Sequence, residues 1–403
     1  MSPDHLKVAL VDPSLFTVPY DAKLANALCS LGHRITVYGE AREPEDEPAD
    51  LPGLRPLFYQ ELLSYRAQRW PRRVLRLAKG VLHWRAMRRL IDELGQTRPD
   101  VIHVQWAPLP IIDRLFLPEL RKVAPVVLTV HDSCPFNGTA GWLQKIGATR
   151  IMSEVDGVIV HTEAARDRLI SYGVAANRLA RIPHGLLDDI VPIAPRVQQA
   201  SDCVQFLLFG KIKRYKGADL LIEAFRRLPP EIRGRVEVQI VGKPYMDIEP
   251  LLQAAQDLEP SVCIDPRFVP DAEMNDILGR ADVIVFPYRE IDVSGVLMAA
   301  LRYGRPIIAS KIGGFAELLI DGHHGVLIPP DDASALSAAM ARLCLDANER
   351  TAMGAAAATL GEAIPSWDDI ARSTTDLYHS VLSGGRSERS LTNSTFPNPV
   401  LSL

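Results

Sequence analysis

The sequence predicts an α/β protein of two domains, each built on a doubly wound parallel sheet. The chain opens with an apolar strand at residues 7–11, a helix at residues 20–31 and a second strand at residues 34–38. The same alternation of strand and helix returns after a polar linker that contains Pro192 and Pro195. A length of 403 residues, 47% of them hydrophobic, is sufficient for two separate cores.

The order of these elements sets the predicted domain boundaries. We expect a first domain over residues 1–190 and a second domain over residues 200–365. A last helix is predicted over residues 366–383. Residues 384–403 are rich in Ser, Asn and Pro, so we expect this tail to be disordered.

Composition excludes several classes of protein. The net charge of −4 is too small to indicate nucleic acid as a general partner. The sequence has no apolar run approaching 18 residues and opens without a signal-peptide layout. Its five cysteines are scattered without metal-ligand spacing, and no D-x-D metal motif occurs. We therefore expect a cytoplasmic protein without a metal site.

One segment, residues 281–330, has the order of a ligand-binding unit. An apolar strand at Val283–Phe286 is followed by a polar loop and by a helix that opens at Ser294 and Gly295. In a parallel sheet, such a loop lies at the carboxyl edge of the strands, where ligands bind. The first N–H groups of the helix, at Ser294, Gly295 and Val296, are suited to an anion such as a diphosphate.

Several motifs in the second domain resemble the donor-binding region of the GT-B glycosyltransferases, in particular the retaining group called family 4. Pro287-Tyr288 is followed by Glu290, by the helix start at Ser294 and by the sequence GRPIIAS at residues 304–310. The sequences GGFAE at 313–317 and DGHHGVLIPP at 321–330 continue the match. Upstream, GKIKRYKG at residues 210–217 fits the basic loop of this group, with Lys211 and Lys216 at its two basic positions.

The resemblance implies a GT-B fold, in which two Rossmann-like domains face a central cleft and the last helix crosses back to the first domain. It implies that Lys211, Lys216 and the N–H groups of Ser294, Gly295 and Val296 hold the donor diphosphate. Glu290 and His131, which follows the strand Val126–Val130, would position the transferred sugar, with Lys216 as a third catalytic group. Glu317 is a further candidate near the diphosphate or the nucleotide. We expect His103 and His161, inside strand patterns, to be structural.

The sequence departs from the pattern of the group at one carboxylate. Members carry two glutamates seven residues apart, and the second, which clamps the nucleotide ribose, is replaced here by Ala299. Glu290 also lies one position early. These departures leave two alternatives open: a catalytically degenerate binding partner of an active transferase, and an inverting transferase on the same fold. An NAD-dependent dehydrogenase is disfavoured because no G-x-G-x-x-G follows the first strand.

The resemblance implies a metal-independent hexosyltransferase that uses a nucleoside diphosphate sugar as substrate and no cofactor. The acceptor would be a glycan hydroxyl, on a lipid-linked glycan of bacterial surface or exopolysaccharide synthesis. The nucleotide base, the sugar and the linkage stay open.

A basic segment at residues 65–91 contains nine Lys or Arg residues and no acidic residue. An apolar side is supplied by Leu75, Leu77, Val81, Leu82, Trp84 and Met87. We predict a helix that contacts an anionic membrane at the inner face of the cytoplasmic membrane. The predicted contact residues are Arg69, Trp70, Arg72, Arg73, Arg76, Lys79 and Trp84. The alternatives are a surface helix packed on the sheet and, less favoured, an RNA-binding helix.

Overall fold

A computed structural model describes residues 5–41, 51–60, 72–133, 142–187 and 203–384. The chain divides into two compact units. The first unit extends to Gly185 and resumes at Pro365, whereas the second runs from Leu186 to Ile364. The tail predicted beyond residue 384, and the predicted membrane residues Arg69 and Trp70, lie outside the described residues.

The first unit contains a parallel sheet of seven described strands, in the spatial order β3-β2-β1-β4-β5-β6-β7. Short runs of Val, Ile and Leu form its central strands, as expected where both faces of a sheet are covered. The strands are β1 (Lys7–Asp12), β2 (Arg34–Glu40), β3 (Arg55–Phe58), β4 (Val101–Val104), β5 (Val126–Val130), β6 (Gly157–Val160) and β7 (Leu179–Arg181).

Helices connect these strands. They are α1 (Val18–Ser30), α2 (Arg72–Thr97), α3 (Pro110–Val123), α4 (Trp142–Glu154) and α5 (Glu163–Ser171). Helices α2, α3 and α4 cover one face of the sheet, where Leu90, Phe116 and Ile151 pack with Ile102 and Leu128 in one apolar core. Thr162 caps α5 by accepting a hydrogen bond from the N–H of Ala165.

The second unit contains a parallel sheet of six described strands, in the order β10-β9-β8-β11-β12-β13. The strands are β8 (Val204–Phe209), β9 (Val236–Val241), β10 (Val262–Asp265), β11 (Val283–Phe286), β12 (Ile307–Ser310) and β13 (Gly325–Ile328). From β8, the chain adds β9 and β10 on one side. It then returns to the other side of β8 and adds β11, β12 and β13. The switch point, where open sheets of this kind bind ligands, therefore lies between β8 and β11.

The helices of the second unit complete the doubly wound arrangement. They are α6 (Ala218–Arg226), α7 (Pro230–Arg233), α8 (Glu249–Gln256), α9 (Asp271–Arg280), α10 (Gly295–Leu301), α11 (Gly313–Leu318), α12 (Ala333–Leu345) and α13 (Ala347–Ala363). The prediction of two doubly wound parallel sheets is confirmed.

The last described helix, α14 (Trp367–Leu382), belongs to the first unit. It lies on the sheet face opposite to α2 and packs against α1. Thr375 is 3.0 Å from Nε2 of His33, and the hydroxyl of Tyr378 is 2.6 Å from Nδ1 of His103 on β4. The chain thus leaves the first unit and later returns to complete it.

Two predicted elements differ from the structure in extent. The sequence also predicts a strand over residues 262–268, but β10 ends at Asp265, because Pro266 has no N–H and the N–H of Arg267 donates back to the carbonyl of Asp265. The apolar side predicted for the basic segment does not form one surface of α2. Leu82 and Met87 are buried in the core, whereas Val81 and Trp84 are exposed. In the described part of the chain, no helix has the length and apolar character needed to cross a membrane.

Candidate functional site

A loop with several lysines leaves the carboxyl end of β8, next to the switch point of the second sheet. After Gly210, the chain passes Lys211 and Lys213 and makes a 3₁₀ turn over Arg214–Lys216. Gly217 then opens α6 with φ 71°, in the left-handed region that favours glycine. The turn brings the side chain of Lys216 back toward the end of β8, where a Cβ on Gly210 would lie 3.1 Å from Nζ.

Lys216 is a buried cation. Its side chain is 6% exposed, and Nζ lies 5.1 Å from the centre of the Tyr288 ring. Among the described residues, no carboxylate forms an ion pair with this ammonium group. Burial lowers the pKa of Lys216 to about 8. Holding an unpaired charge inside the protein costs free energy, so this arrangement indicates a site built to receive an anion.

Lys211 lies near the same point with its side chain reaching solvent. Packing of protein atoms around it and the charges of Lys213, Lys216 and Lys243 lower its pKa. The ammonium groups of Lys211 and Lys213 are 5.7 and 5.8 Å from the ring centre of the exposed Tyr245. The lysines thus form a cluster of positive charge at the carboxyl ends of β8 and β9.

The lysine loop is fixed to the loop that follows β11. The N–H of Arg289 donates to the carbonyl of Tyr215 at 2.7 Å. The guanidinium of Arg289 donates to the carbonyl of Arg214 and to both carboxylate oxygens of Asp219, at 2.8 to 2.9 Å. At Gly217, a Cβ would lie only 2.1 Å from the carbonyl oxygen of Pro287, so the two loops are in direct backbone contact.

The predicted helix start at Ser294 is present. Ser294 is the N-cap of α10, and its hydroxyl accepts a hydrogen bond from the N–H of Leu297 at 3.2 Å. The helix spans only seven residues, so its dipole is small. The N–H groups of Ser294, Gly295 and Val296 can therefore bind an anion mainly as individual hydrogen-bond donors. Glu317 lies in α11 and is half-buried.

The two acidic positions of the family pattern differ in their surroundings. Glu290 is exposed in the loop before α10, and no ion-pair partner for it occurs among the described residues. Its carboxylate is therefore available to a ligand. Ala299 is 5% exposed within α10 and offers no hydrogen-bonding group. The structure thus has one of the two expected carboxylates near the loop and leaves the other position apolar.

His131 belongs to the first unit, directly after β5, and both of its ring nitrogens have protein partners. Nδ1 lies 3.3 Å from Nε2 of His161, and Nε2 lies 3.0 Å from the side-chain amide of Gln105. Nδ1 of His161 is in turn 2.8 Å from the carbonyl oxygen of Ile182. Burial, and then the neighbouring His161, hold the pKa of His131 well below its ordinary value, so the ring is neutral.

The carbonyl of Ile182, at one end of these hydrogen bonds, determines which ring nitrogens donate and which accept. Because the Ile182 carbonyl can only accept, His161 donates through Nδ1 and accepts from Nδ1 of His131. A neutral His131 must then accept at Nε2, so the Gln105 amide is assigned with its nitrogen toward this ring nitrogen, in place of the Oε1 atom that lies 3.0 Å away in the structure. The other side of the amide meets Nε2 of His103, whose Nδ1 accepts from Tyr378. His131 is thereby linked to α14, and its predicted contact with the sugar stays a prediction.

Sequence reasoning missed several residues that shape these sites. Arg289 was not identified, although an Arg directly after Pro287-Tyr288 follows a strand end and is a candidate for bidentate contacts. The loop after β9 contains Gly242-Lys243-Pro244, which the sequence marks as a possible loop on the nucleotide side, but Tyr245 beside it carries no such signal. Gln105 was missed because a polar residue at the end of a strand has many ordinary explanations.

Two family models match the chain. The model described as glycosyl transferases group 1 matches residues 203–346, and the model described as glycosyltransferase family 4 matches residues 22–188. The first match contains the lysine loop, α10 and α11, whereas the second contains most of the first sheet. The chain belongs to the GT-B glycosyltransferases of the family 4 group.

Similar proteins include two named D-inositol 3-phosphate glycosyltransferase. That of Streptomyces bingchenggensis is 29% identical over 61% of this chain, and that of Kineococcus radiotolerans is 28% identical over 60%. The matched parts span 57% and 61% of the length of these relatives. Among solved structures, Anabaena HepE in complex with UDP and glucose has a TM-score of 0.74 at 18% identity, covering 93% of this chain and 100% of HepE. This structural likeness shows a common fold.

Proposed function

We propose that the protein transfers a hexosyl group from a nucleoside diphosphate sugar to a hydroxyl group of a glycan acceptor. The observation that carries this proposal is Lys216, a buried ammonium group without an ion-pair partner among the described residues. A diphosphate would neutralise it at the switch point of the sheet. The names of the inositol phosphate glycosyltransferases, and UDP with glucose in HepE, support the same class of substrates.

In the proposed mechanism, the lysine cluster stabilises the leaving diphosphate. As the bond between the anomeric carbon and the diphosphate oxygen breaks, negative charge grows on the leaving oxygen. Lys216 and Lys211 stabilise this charge because they are already in place and partly desolvated. The acceptor oxygen bonds to the anomeric carbon on the same face, and its proton passes to the leaving phosphate. Glu290 and His131 would position the sugar, and the reaction would require neither a metal nor a cofactor.

Ala299 favours a second candidate, a degenerate GT-B protein that partners an active transferase. Without a carboxylate at this position, the ribose contact common in the group is absent from α10. This candidate predicts nucleotide binding without turnover, or no binding. If turnover occurs, the anomeric configuration of the product distinguishes a retaining from an inverting reaction.

The first test is thermal stabilisation of the purified protein by UDP, GDP, ADP, dTDP, their sugars and NAD. We expect one nucleoside diphosphate series to raise the free energy of unfolding by about 2.7 kcal/mol at 100 times its Kd, because the ligand binds only the native state. NAD serves as the matched control and should have no effect. Stabilisation by NAD alone, or by none of these compounds, would contradict the proposal.

We further propose that the acceptor is lipid-linked, as in bacterial surface or exopolysaccharide synthesis, and that α2 contacts the inner face of the cytoplasmic membrane. The exposed side of α2 carries Val81, Trp84, Arg85 and Arg88, a mixture of apolar and basic groups suited to anionic headgroups. Lys79 is a poorer candidate, because its ammonium group lies 3.3 Å from the hydroxyl of Ser14 and 4.7 Å from the Tyr59 ring centre. Side chains of Arg72, Arg73 and Arg76 lie outside the described part.

Replacing Arg85 and Arg88 by Glu is expected to release the protein from vesicles that contain phosphatidylglycerol. Each basic residue near such a surface contributes about 1 kcal/mol, so the double charge reversal should weaken binding at least tenfold. Vesicle sedimentation measures this effect. The double variant Lys122→Glu and Arg372→Glu changes the net charge equally on other helices, and its binding should fall much less. Equal loss in both variants would argue against a contact through α2.

A further inference from the structure

An aromatic surface lies at the carboxyl edge of the first sheet, where the loops after β1 and β4 meet. Phe16, in the loop after β1, is 53% exposed. Its ring centre lies 5.6 Å from that of Trp106, which follows β4, and the rings are inclined at 60°. Strands β1 and β4 are neighbours in the sheet, so their ends bring the two rings together.

The indole of Trp106 is held on two sides. Its ring stacks on His131 with centres 5.3 Å apart and an angle of 18°. Its Nε1–H donates to the hydroxyl of Thr17 at 3.1 Å. Trp106 therefore has a fixed orientation, and the exposed aromatic surface that remains is supplied mainly by Phe16.

The loop that carries Phe16 is anchored from below by two buried carboxyl groups. The N–H groups of Ser14 and Thr17 each donate to Asp12 at 3.3 Å, and the hydroxyl of Thr17 lies 3.4 Å from Asp21. Asp12 and Asp21 are fully buried and hydrogen-bonded to each other, and burial raises the pKa of both carboxyl groups. Between them, Leu15 has φ 44°, an unfavourable conformation for this residue.

The exposed ring of Phe16 is suited to an occupant that matches both the aromatic ring and the polar loop around it. The groups around it are polar: the Ser14 and Thr17 hydroxyls, with Lys79 close to Ser14. An alkyl chain would cover these groups without providing hydrogen bonds. A six-membered polyol ring has C–H bonds on one face, which match the negative face of an aromatic ring, and hydroxyl groups at its rim.

We infer that Phe16 and Trp106 form the stacking site for a six-membered polyol ring of the acceptor, either a pyranose or a cyclitol. Phe16 supplies the contact surface, and Thr17, fixed by Asp12 and Asp21, positions Trp106 behind it. The inference rests on the proposed function, because it specifies the acceptor side of that reaction. It concerns only residues of the first unit.

Saturation-transfer NMR tests the inference with methyl α-D-glucopyranoside and myo-inositol as probes. We expect signal transfer from the wild-type protein to ring C–H protons of at least one probe, and the two probes distinguish a pyranose from a cyclitol site. Phe16→Ala should weaken binding about tenfold, and Phe16→Tyr should restore it, since the ring is kept. Tyr172→Ala, at a tyrosine 39% exposed elsewhere in the unit, is the control and should bind as wild type.

Trp106→Phe tests whether the hydrogen bond of Trp106, and not only the packing of its ring, is needed for acceptor binding. The variant keeps an aromatic ring but removes the N–H group that donates to the hydroxyl of Thr17. In transfer assays this variant and Phe16→Ala should raise the acceptor KM and leave the donor KM unchanged. Absence of probe binding to the wild-type protein, or equal binding by Phe16→Ala, would overturn the stacking site. UDP stabilisation measured on the same variants reports the donor site independently, so a failure of the proposed function is distinguishable from a failure of this inference.

Discussion

Replacing Lys216 by methionine is expected to stabilise the protein while weakening its nucleotide binding. The buried ammonium group has a pKa of about 8 in place of 10.5, a difference equivalent to about 3 kcal/mol of unfavourable charge burial at pH 7. Methionine fills a similar volume without charge. Urea denaturation should therefore show a higher free energy of unfolding, whereas affinity for nucleoside diphosphates should fall on the order of 100-fold.

The stabilisation should depend on pH with a defined sign. Between pH 8 and 10.5 the native wild-type protein has lost the Lys216 proton, whereas the unfolded chain retains it. Since the unfolded state binds more protons, this residue makes stability rise with pH across that window, and the advantage of the methionine variant should disappear. Nucleotide affinity of the wild type should decline above pH 8, because the diphosphate requires the charged form.

Lys122→Met is the matched control for this experiment, because Lys122 is an exposed lysine on α3. It should change stability by no more than about 0.5 kcal/mol and leave nucleotide binding intact. If Lys216→Met were destabilising at pH 7, or bound nucleotide as well as the wild type, Lys216 would not be an unpaired charge kept for a diphosphate.

Gly217→Ala is expected to cause the second large effect. An alanine here would carry φ 71° and place its Cβ 2.1 Å from the carbonyl oxygen of Pro287. To relieve this overlap, the lysine loop and the loop after β11 must move apart. Lys216 on the first loop and Arg289 on the second would then leave their present positions. We expect a loss of about 3 kcal/mol or more in the free energy of unfolding, together with weaker nucleotide binding.

Gly322→Ala measures the cost of the left-handed backbone conformation without the steric overlap that occurs at Gly217. Gly322 lies in the same unit with φ 75°, but a Cβ there would have no heavy atom within 4 Å. This control should cost about 1 to 2 kcal/mol, from the left-handed conformation alone, and should retain nucleotide binding. Thermal unfolding with and without UDP compares the two variants. If both variants had equal stability and equal nucleotide binding, the contact between Gly217 and Pro287 would not be needed to hold the lysine loop in place.

Local patterns predicted most elements of the fold because their signals lie within a few consecutive residues. The strands Val126–Val130 and Val283–Phe286 were predicted with the observed bounds, since each is a continuous apolar run. The lysine loop was predictable from the spacing of Lys211 and Lys216 in the family motif. Whether Lys216 is buried, and which residues fix its loop, depends on contacts with Pro287 and Arg289 that no local pattern reveals.

Networks between distant residues were the least predictable features. His103 was expected to be structural from its place inside a strand, but its link to Tyr378 spans 275 residues of sequence. Asp12 and Asp21 look like an ordinary strand end and an ordinary helix residue, and only the fold brings their two carboxyl groups into a buried hydrogen bond. Such pairs become visible only when the tertiary structure shows which polar groups are removed from water together.

The return of α14 to the first unit has a consequence for the order in which the chain folds during synthesis. Tyr378 and Thr375 reach partners on β4 and beside β2, and the ring of Trp367 covers Gly185. A ribosome makes the entire second unit before it makes these residues. The part of the first unit that α14 covers must therefore remain exposed while the second unit is translated, a period in which the nascent chain presents apolar surface to chaperones.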